Sequence, residues 1–394
     1  MTISAMTLSN QWRTRPAEDC FWTVSDLLKS ARAEKTASVE RDYHARGLTL
    51  VTDGGESDGL FVRGDGWTAP LGVSHHAFSQ LAGLAKAPAG YLRSLPAELA
   101  ADCVSVGLAR RDRDERAVSL MANRETLTIR ALTGENYSRL WSADLLEMVV
   151  GAMDASPSRY VTPPAWVGFG GVDDGSWSGP TRKATQADVG EWTRVKVGDT
   201  IRPAGLYYSP HDGRDTFAFF LNTERAIDLP RGGTGFRFLM LWNSESGAAS
   251  VGAASGIVDV VCGNHILWGM RDVKEFRFRH VGDGLSARSH RELKSAFGVL
   301  DAAPWESKIL KGSAEHILGA TVADVDAAAV RATRLPLATI QAARAAVSAR
   351  DYGHTGSAYA VASALTEYAQ TLPRVEERVD LDRAAAKLYS ITAE

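Results

Sequence analysis

Cys262, Asn264 and His265 fall within four residues of one another, and His280 follows fifteen residues later. A thiol becomes a useful nucleophile when a base or positive charge lowers its pKa, and a Cys-His pair oriented by a carboxamide is the usual arrangement. Cys262 with His265 or His280 is therefore the dyad that a thiol hydrolase of amides or thioesters would use. Cysteine-hydrolase pairs generally meet in space from distant segments. The plainer reading is a small buried Cys closing a strand before a Gly-Asn turn, so no catalytic residue is assigned. Asp259 would complete a set of four metal ligands with Cys262, His265 and His280. In a strand, however, Asp259 and Cys262 lie an odd number of residues apart and point to opposite faces, so no metal site is expected. No cofactor is expected either. The chain has no Gly-Lys dipeptide, hence no Walker loop, and no GxGxxG between a strand and a helix.

A second chemistry is carried by arginine. Arg277 and Arg279 alternate with Phe276 and Phe278 ahead of His280, and Arg130, Arg139, Arg237 and the run ARRDR at 109–113 add further guanidinium groups. Cations beside aromatic rings can hold a phosphate backbone while stacking bases, which makes Arg130, Arg139, Arg237, Arg277 and Arg279 the candidate nucleic-acid contacts. The same alternation also describes a half-buried edge strand with a charged outer face.

These residues need a scaffold, and the apolar spacing outlines one. Thr23 or Ser25 can cap a helix that runs past Arg32. Short strands separated by the turns Asp53-Gly54-Gly55 and Arg63-Gly64-Asp65-Gly66 fill 48–73. Phe78, Leu81, Ala82 and Ala85 give the stripe of a helix from His76 to Ala85, opened by Ser74 or His75. Helical segments follow around Tyr91–Leu95 and Glu98–Leu108, then a hairpin of Ala117–Met121 with Leu127–Ala131, then a helix capped by Ser142. Residues 154–215, rich in Pro, Gly, Trp and Tyr, read as β-structure with long connections. Strands are expected at Thr216–Leu221, Phe236–Trp242, Gly256–Cys262 and Lys274–His280, with a short helix at His265–Met270 and a hairpin loop at Asn243–Ala249. Beyond Val281 the chain turns to Ala-rich helices, the clearest being SAYAVASALTEYAQTL.

The fold class is α+β: a mixed or antiparallel sheet core with flanking helices and a helical C-terminal region. Four regions are expected, an N-terminal arm (1–22), an α+β region (23–155), a β-rich central region (156–282) and the helical C-terminal region (283–394), which can also form one large domain.

Composition narrows the function classes. The 394 residues carry a formal net charge of −3, which argues against general polyanion binding, since that rests on neutralising several phosphates. Three widely spaced cysteines form neither a disulfide framework nor a closed zinc site, and fit a reducing cytoplasm. No apolar run approaches the ~20 residues that cross a bilayer, and the first residues lack the order of a secretory signal, so no membrane partner is expected.

The succession FWTVSDLLKSARAEKTASVE, HHAFSQLAGLAKAPAGYLRSLP, LTIRALTGENYSRLWSADLL, FLMLWNSESGAAS with VVCGNHILW, FRFRHVG and SAYAVASALTEYAQTL resembles the DUF932 family, often described as phage/plasmid-like. The likeness runs from about Phe21 to Tyr389 and rests on the order of the pieces. It implies a cytoplasmic protein of a mobile element with a mixed α/β core, and supplies no catalytic residues. The departures are SVGL at Ser105–Leu108 and an elaborated Pro/Trp-rich segment at 160–200. The leading expectation is a non-enzymatic, DNA-associated protein of a phage or plasmid that binds single strands or a nucleoprotein and forms a homo-oligomer. The alternatives are the Cys262 hydrolase and a protein-interaction module, for instance an inhibitor of host defence, working through the aromatic segment 160–208.

Overall fold

The computed structural model describes residues 17–52, 59–64, 66–111, 118–162, 165–166, 179–193, 195–203, 205–210, 216–230, 234–259, 265–267, 275–282, 284–301, 306–346, 356–369, 381 and 384–391. Among them the architecture is α+β, with one mixed sheet, antiparallel sheets and a helical C-terminal region.

The first helix, α1 (Val24–Ala37), starts at Thr23, whose hydroxyl accepts from the Asp26 N–H. Its buried stripe is Leu27, Leu28 and Ala31. A six-stranded sheet follows in the order β1-β5-β6-β4-β3-β2, built from β1 (Ser38–Tyr43), β2 (Thr49–Thr52), β3 (Leu60–Arg63), β4 (Leu71–Val73), β5 (Val118–Asn123) and β6 (Thr128–Gly134). Among the described residues only β4 and β6 run parallel in this sheet. The crossover between β4 and β5 carries α2 (His75–Leu84), α3 (Ala89–Leu92) and α4 (Ala97–Ala109), which bury Phe78, Leu81, Val104 and Leu108 in one core with Leu50, Val62, Leu120 and Ile129 of the strands. Ser74 caps α2 as its position suggests. The next helix, α5 (Ser142–Asp154), differs from expectation: Trp141 is the N-cap and has no side-chain cap bond, so Ser142 is already helical.

The Pro/Trp-rich region contributes β7 (Tyr160–Val161) and three short strands, β8 (Ala165–Trp166), β9 (Arg182–Lys183) and β10 (Thr200–Arg202), which form a sheet of their own. The main central sheet has seven strands among the described residues. Its path is β11 (Leu206–Tyr208), β12 (Thr216–Asp228), β13 (Thr234–Asn243), β14 (Val251–Asp259) and β15 (His265–Leu267); β7 joins β12, and β16 (Glu275–Phe278) joins β14. The expected helix at 265–270 is instead strand at 265–267, paired with 256–258 of β14. An antiparallel partner supplies a hydrogen-bonding ladder that a single helical turn lacks.

Strict alternation sorts this sheet's side chains. Ala218, Phe220, Leu239, Leu241, Val251 and Ala253 lie on one face, where Leu27 and Leu28 of α1, Leu145, Leu146 and Val149 of α5 and the first C-terminal helix cover them. Phe217, Phe219, Leu221, Phe236, Phe238 and Met240 occupy the other face, with Cys20 and Tyr207. The cover of the first face thus comes partly from helices that flank the six-stranded sheet in sequence. Lys35–Asp144 and Arg32–Glu147 ion pairs of 2.5 and 2.7 Å fasten α1 to α5 at the rim.

The C-terminal helices are α6 (Leu285–Asp301), α7 (Glu306–Glu315), α8 (Val322–Thr333), α9 (Leu337–Ala346) and α10 (Ala358–Ala369), with a further helical stretch at 384–389. The first of them covers the central sheet, while the others share a core of Val325, Ile340, Val361, Leu365 and Leu388 that also takes in Ile227 and Ile257 of the sheet. No helix of the described residues is long and apolar enough to cross a membrane.

Candidate nucleic-acid interface

The five arginines expected on one surface divide into two groups. Arg130, on β6, has a fully buried side chain. Its Nη2 donates to Glu245 at 2.6 Å, its Nη1 to Ser38 Oγ at 3.0 Å and its Nε to the Pro210 carbonyl at 3.2 Å; Glu34 stands 3.3 Å away. The Arg139 side chain is 5% exposed, pairs with Glu40 at 2.7 Å, donates to the Glu245 carbonyl and lies over the Tyr137 ring. Arg237 is 2% exposed and donates to the Leu300 carbonyl at 3.3 Å. These three guanidinium groups serve the interior. A buried cation survives only with its donors satisfied, and once they are, nothing remains to offer a phosphate.

Arg277 and Arg279 are exposed. Among the described residues β16 pairs only with β14, in the register Phe278↔Val251, Arg277↔Gly252 and Phe276↔Ala253, so it is an outer strand. Pleating turns Phe276 inward, where it is 6% exposed and stacks on Phe278 with ring centroids 5.4 Å apart. Arg277 faces out, its Nε donating to Ser250 Oγ at 2.6 Å. Arg288 of α6 reaches back over the half-buried Phe278 ring at 5.3 Å, and the next turns of α6 expose His290, Arg291 and Lys294. Among the described residues neither Arg277, Arg279 nor Arg288 forms an ion pair. The patch is cationic and aromatic, and on its α6 side Arg291 stands 3.8 Å from Glu292.

His280, at the end of this strand, turns the other way. It is 4% exposed, stacks on Tyr137 with centroids 5.0 Å apart, and its Nδ1 donates to the Ser138 carbonyl at 3.1 Å. That acceptor places the proton on Nδ1, and the buried Nε2 has no hydrogen-bond partner among the described residues. Burial pushes its pKa below the ordinary value, with the nearby Arg139 acting in the same direction.

Cys262 and Asn264 lie outside the described residues, as does the His265 side chain. The dyad of Cys262 with His265 or His280 therefore rests on a thiol outside the described residues. Among the described residues no group of His, Cys, Asp and Glu could hold a metal ion. In the aromatic segment Tyr207 and Tyr208 are each 1% exposed, core residues rather than a docking surface.

The polar centre of the molecule is one that sequence reasoning passed over as a hairpin loop, Asn243-Ser244-Glu245-Ser246-Gly247 between β13 and β14. Glu245 is wholly buried and joins three elements: its carboxylate accepts from Arg130, from the Ser142 N–H at the start of α5 at 2.6 Å, and from the Tyr208 hydroxyl at 3.4 Å. The role expected of the Ser142 hydroxyl as helix cap is thus filled by Glu245, a carboxylate at the positive end of the helix. Tyr137 donates to the Ser244 carbonyl, Gln80 of α2 to the Ser246 carbonyl, and Asn243 to the Leu140 carbonyl. The loop locks the two large sheets together. A lone acid flanked by serines between two strongly apolar strands was the available signal.

Compared with known proteins, residues 208–391 match the family model of DUF932, a domain of unknown function. No curated protein and no solved structure matches the chain.

Proposed function

We propose, from the premise that residues 208–391 carry the DUF932 domain, that the protein is a non-enzymatic, DNA-associated protein of a phage or plasmid that binds single strands along β16 and the start of α6. The observation that carries this reading is the exposed pair Arg277 and Arg279 on an outer strand, neither of which forms an ion pair among the described residues. Arginine forks suit phosphate oxygens, and because Phe278 packs inward between Phe276 and Arg288, the face that Arg277 and Arg279 present meets the phosphate backbone rather than the bases. The net charge of −3 confines such binding to this local patch, so affinity should be modest and salt-sensitive.

The test is fluorescence anisotropy of a labelled single-stranded oligonucleotide titrated at several salt concentrations. Binding is expected at low salt. The Arg277→Ala/Arg279→Ala variant should bind more weakly and flatten the log–log salt dependence by about 1.4, at about 0.7 for each phosphate that is no longer neutralised. Absence of binding at the lowest salt, or an unchanged slope in that variant, refutes the proposal.

A further inference from the structure

Three of the large apolar side chains that stand exposed belong to one short segment, Tyr91 on α3 (63% exposed) and Leu99 and Val106 on α4 (49% and 50%). Single exposed hydrophobics are ordinary, but Leu99 and Val106 lie on a helix whose opposite face is already saturated. Ala100, Ala101, Val104 and Leu108 fill the core beneath, and a Cβ on Gly107 would come within 2.6 Å of the Ala85 carbonyl oxygen, so α4 sits hard against the end of α2. Leu99, Cys103, Val106 and Arg110 follow one another at steps of four, three and four, forming a single outward stripe with an exposed free thiol at its middle. Two exposed acids, Glu98 and Asp102, border its N-terminal half, and the exposed Arg110 closes its C-terminal end. None of these three charges forms an ion pair among the described residues.

We propose that this face of α4 is the contact of a two-fold symmetric homodimer, in which two copies of the helix pack antiparallel. The midpoint of Leu99 and Val106 and the midpoint of Glu98 and Arg110 fall within two residues of each other, beside Cys103. A two-fold axis there lays the apolar stripe of one helix on that of its partner, brings each Arg110 to the acidic half of the other, and sets the two Cys103 thiols close together. An apolar centre with acid at one end and base at the other is self-complementary only in that orientation. The contact is about 20 Å long, the length of a 13-residue helix, so association should be weak, with a Kd of about 1–100 µM.

The charges also suit the helix dipole, acids early and a base late, and the experiment separates the two explanations. Sedimentation velocity on the full chain, from about 1 to about 200 µM, should show a monomer–dimer equilibrium. Leu99→Glu and Val106→Glu should each abolish it while the far-UV circular dichroism spectrum and Tm stay close to those of the parent. Glu98→Arg and Arg110→Glu should each weaken it about tenfold, and the two together should restore it to within about threefold, because the acid and base have exchanged ends. A short bis-maleimide should trap the dimer through Cys103 and fail on Cys103→Ser. The proposal is overturned by a monomer at every concentration, by a dimer indifferent to Val106→Glu, or by a charge exchange that fails to restore association, the outcome a dipole role predicts.

Discussion

Replacing Glu245 by alanine should be among the most damaging single changes outside the hydrophobic core. The carboxylate and the Arg130 guanidinium are 2.6 Å apart and both are 0% exposed. Removing one member of a buried pair strands the other, at about 3–5 kcal/mol. Glu34 remains 3.3 Å from Arg130 and is itself only 12% exposed, which draws the electrostatic part towards the lower end of that range. Against this, the Ser142 N–H at the start of α5 loses its acceptor, and an unsatisfied buried donor costs about 1–3 kcal/mol. Because these terms are not additive, Glu245→Ala should cost about 4 kcal/mol, and Arg130→Met a comparable amount. In the double variant Arg130→Met/Glu245→Leu much of the loss should return, since neither charge is left alone. Urea denaturation followed by tryptophan fluorescence and circular dichroism measures all four corners of the cycle. A Glu245→Ala cost below about 1 kcal/mol, or a coupling energy within about 0.5 kcal/mol of zero, would refute the view that this loop locks the two sheets.

Two further changes probe single sites. His280 is held neutral by burial, so its folded pKa is below its unfolded value; stability is complete above about pH 6.5 and falls as the pH drops below it, by at most about 1.4 kcal/mol per pH unit. Urea midpoints of the parent and His280→Phe should therefore converge between about pH 6.5 and pH 5, and parallel profiles would contradict this. Lys86 follows α2 with φ 57°, and the Ala87 N–H reaches back to the Ala82 carbonyl at 2.9 Å, closing a Schellman turn. Lys86→Gly should stabilise the chain by roughly 1 kcal/mol, because glycine adopts that conformation without a Cβ clash; an unchanged melting temperature would speak against it.

The sequence displayed the parts of this fold better than their assembly. Alternation along Phe217–Leu221 and Phe236–Leu241 reads directly as strands buried on both faces, and the stripe in α2 with Ser74 before it reads as a capped helix, because these signals are local. The Arg277/Arg279 outer face is legible for the same reason. Nothing local distinguishes Arg130 or Arg237 from a surface arginine in a strand, since what buries them is contributed by Glu245 and Leu300, 115 and 63 residues away. The buried Glu245 was hidden in the same manner, because a polar five-residue loop resembles a solvated hairpin until the partners that dehydrate it are known.

That non-local assembly bears on the limits of the DUF932 match, which begins at residue 208. The helix-covered face of the central sheet is sealed by Leu27 and Leu28 of α1 and Leu145, Leu146 and Val149 of α5, all outside the matched region. Burial of each such side chain is worth about 1.5–3 kcal/mol, so removing the five forfeits roughly 8–15 kcal/mol. A whole domain is typically stable by only about 5–15 kcal/mol. A fragment of residues 208–391 would in addition lose Arg130 and the start of α5, leaving the Glu245 carboxylate without its cation and its backbone donor. The fragment should therefore lack near-UV circular dichroism, bind a hydrophobic dye and melt without a cooperative transition, whereas the chain from residue 17 onward should melt cooperatively. A sharp two-state transition in the 208–391 fragment would show that α1 and α5 only decorate a self-sufficient sheet. The expected failure would mean that the unit of sequence similarity is smaller than the unit that folds.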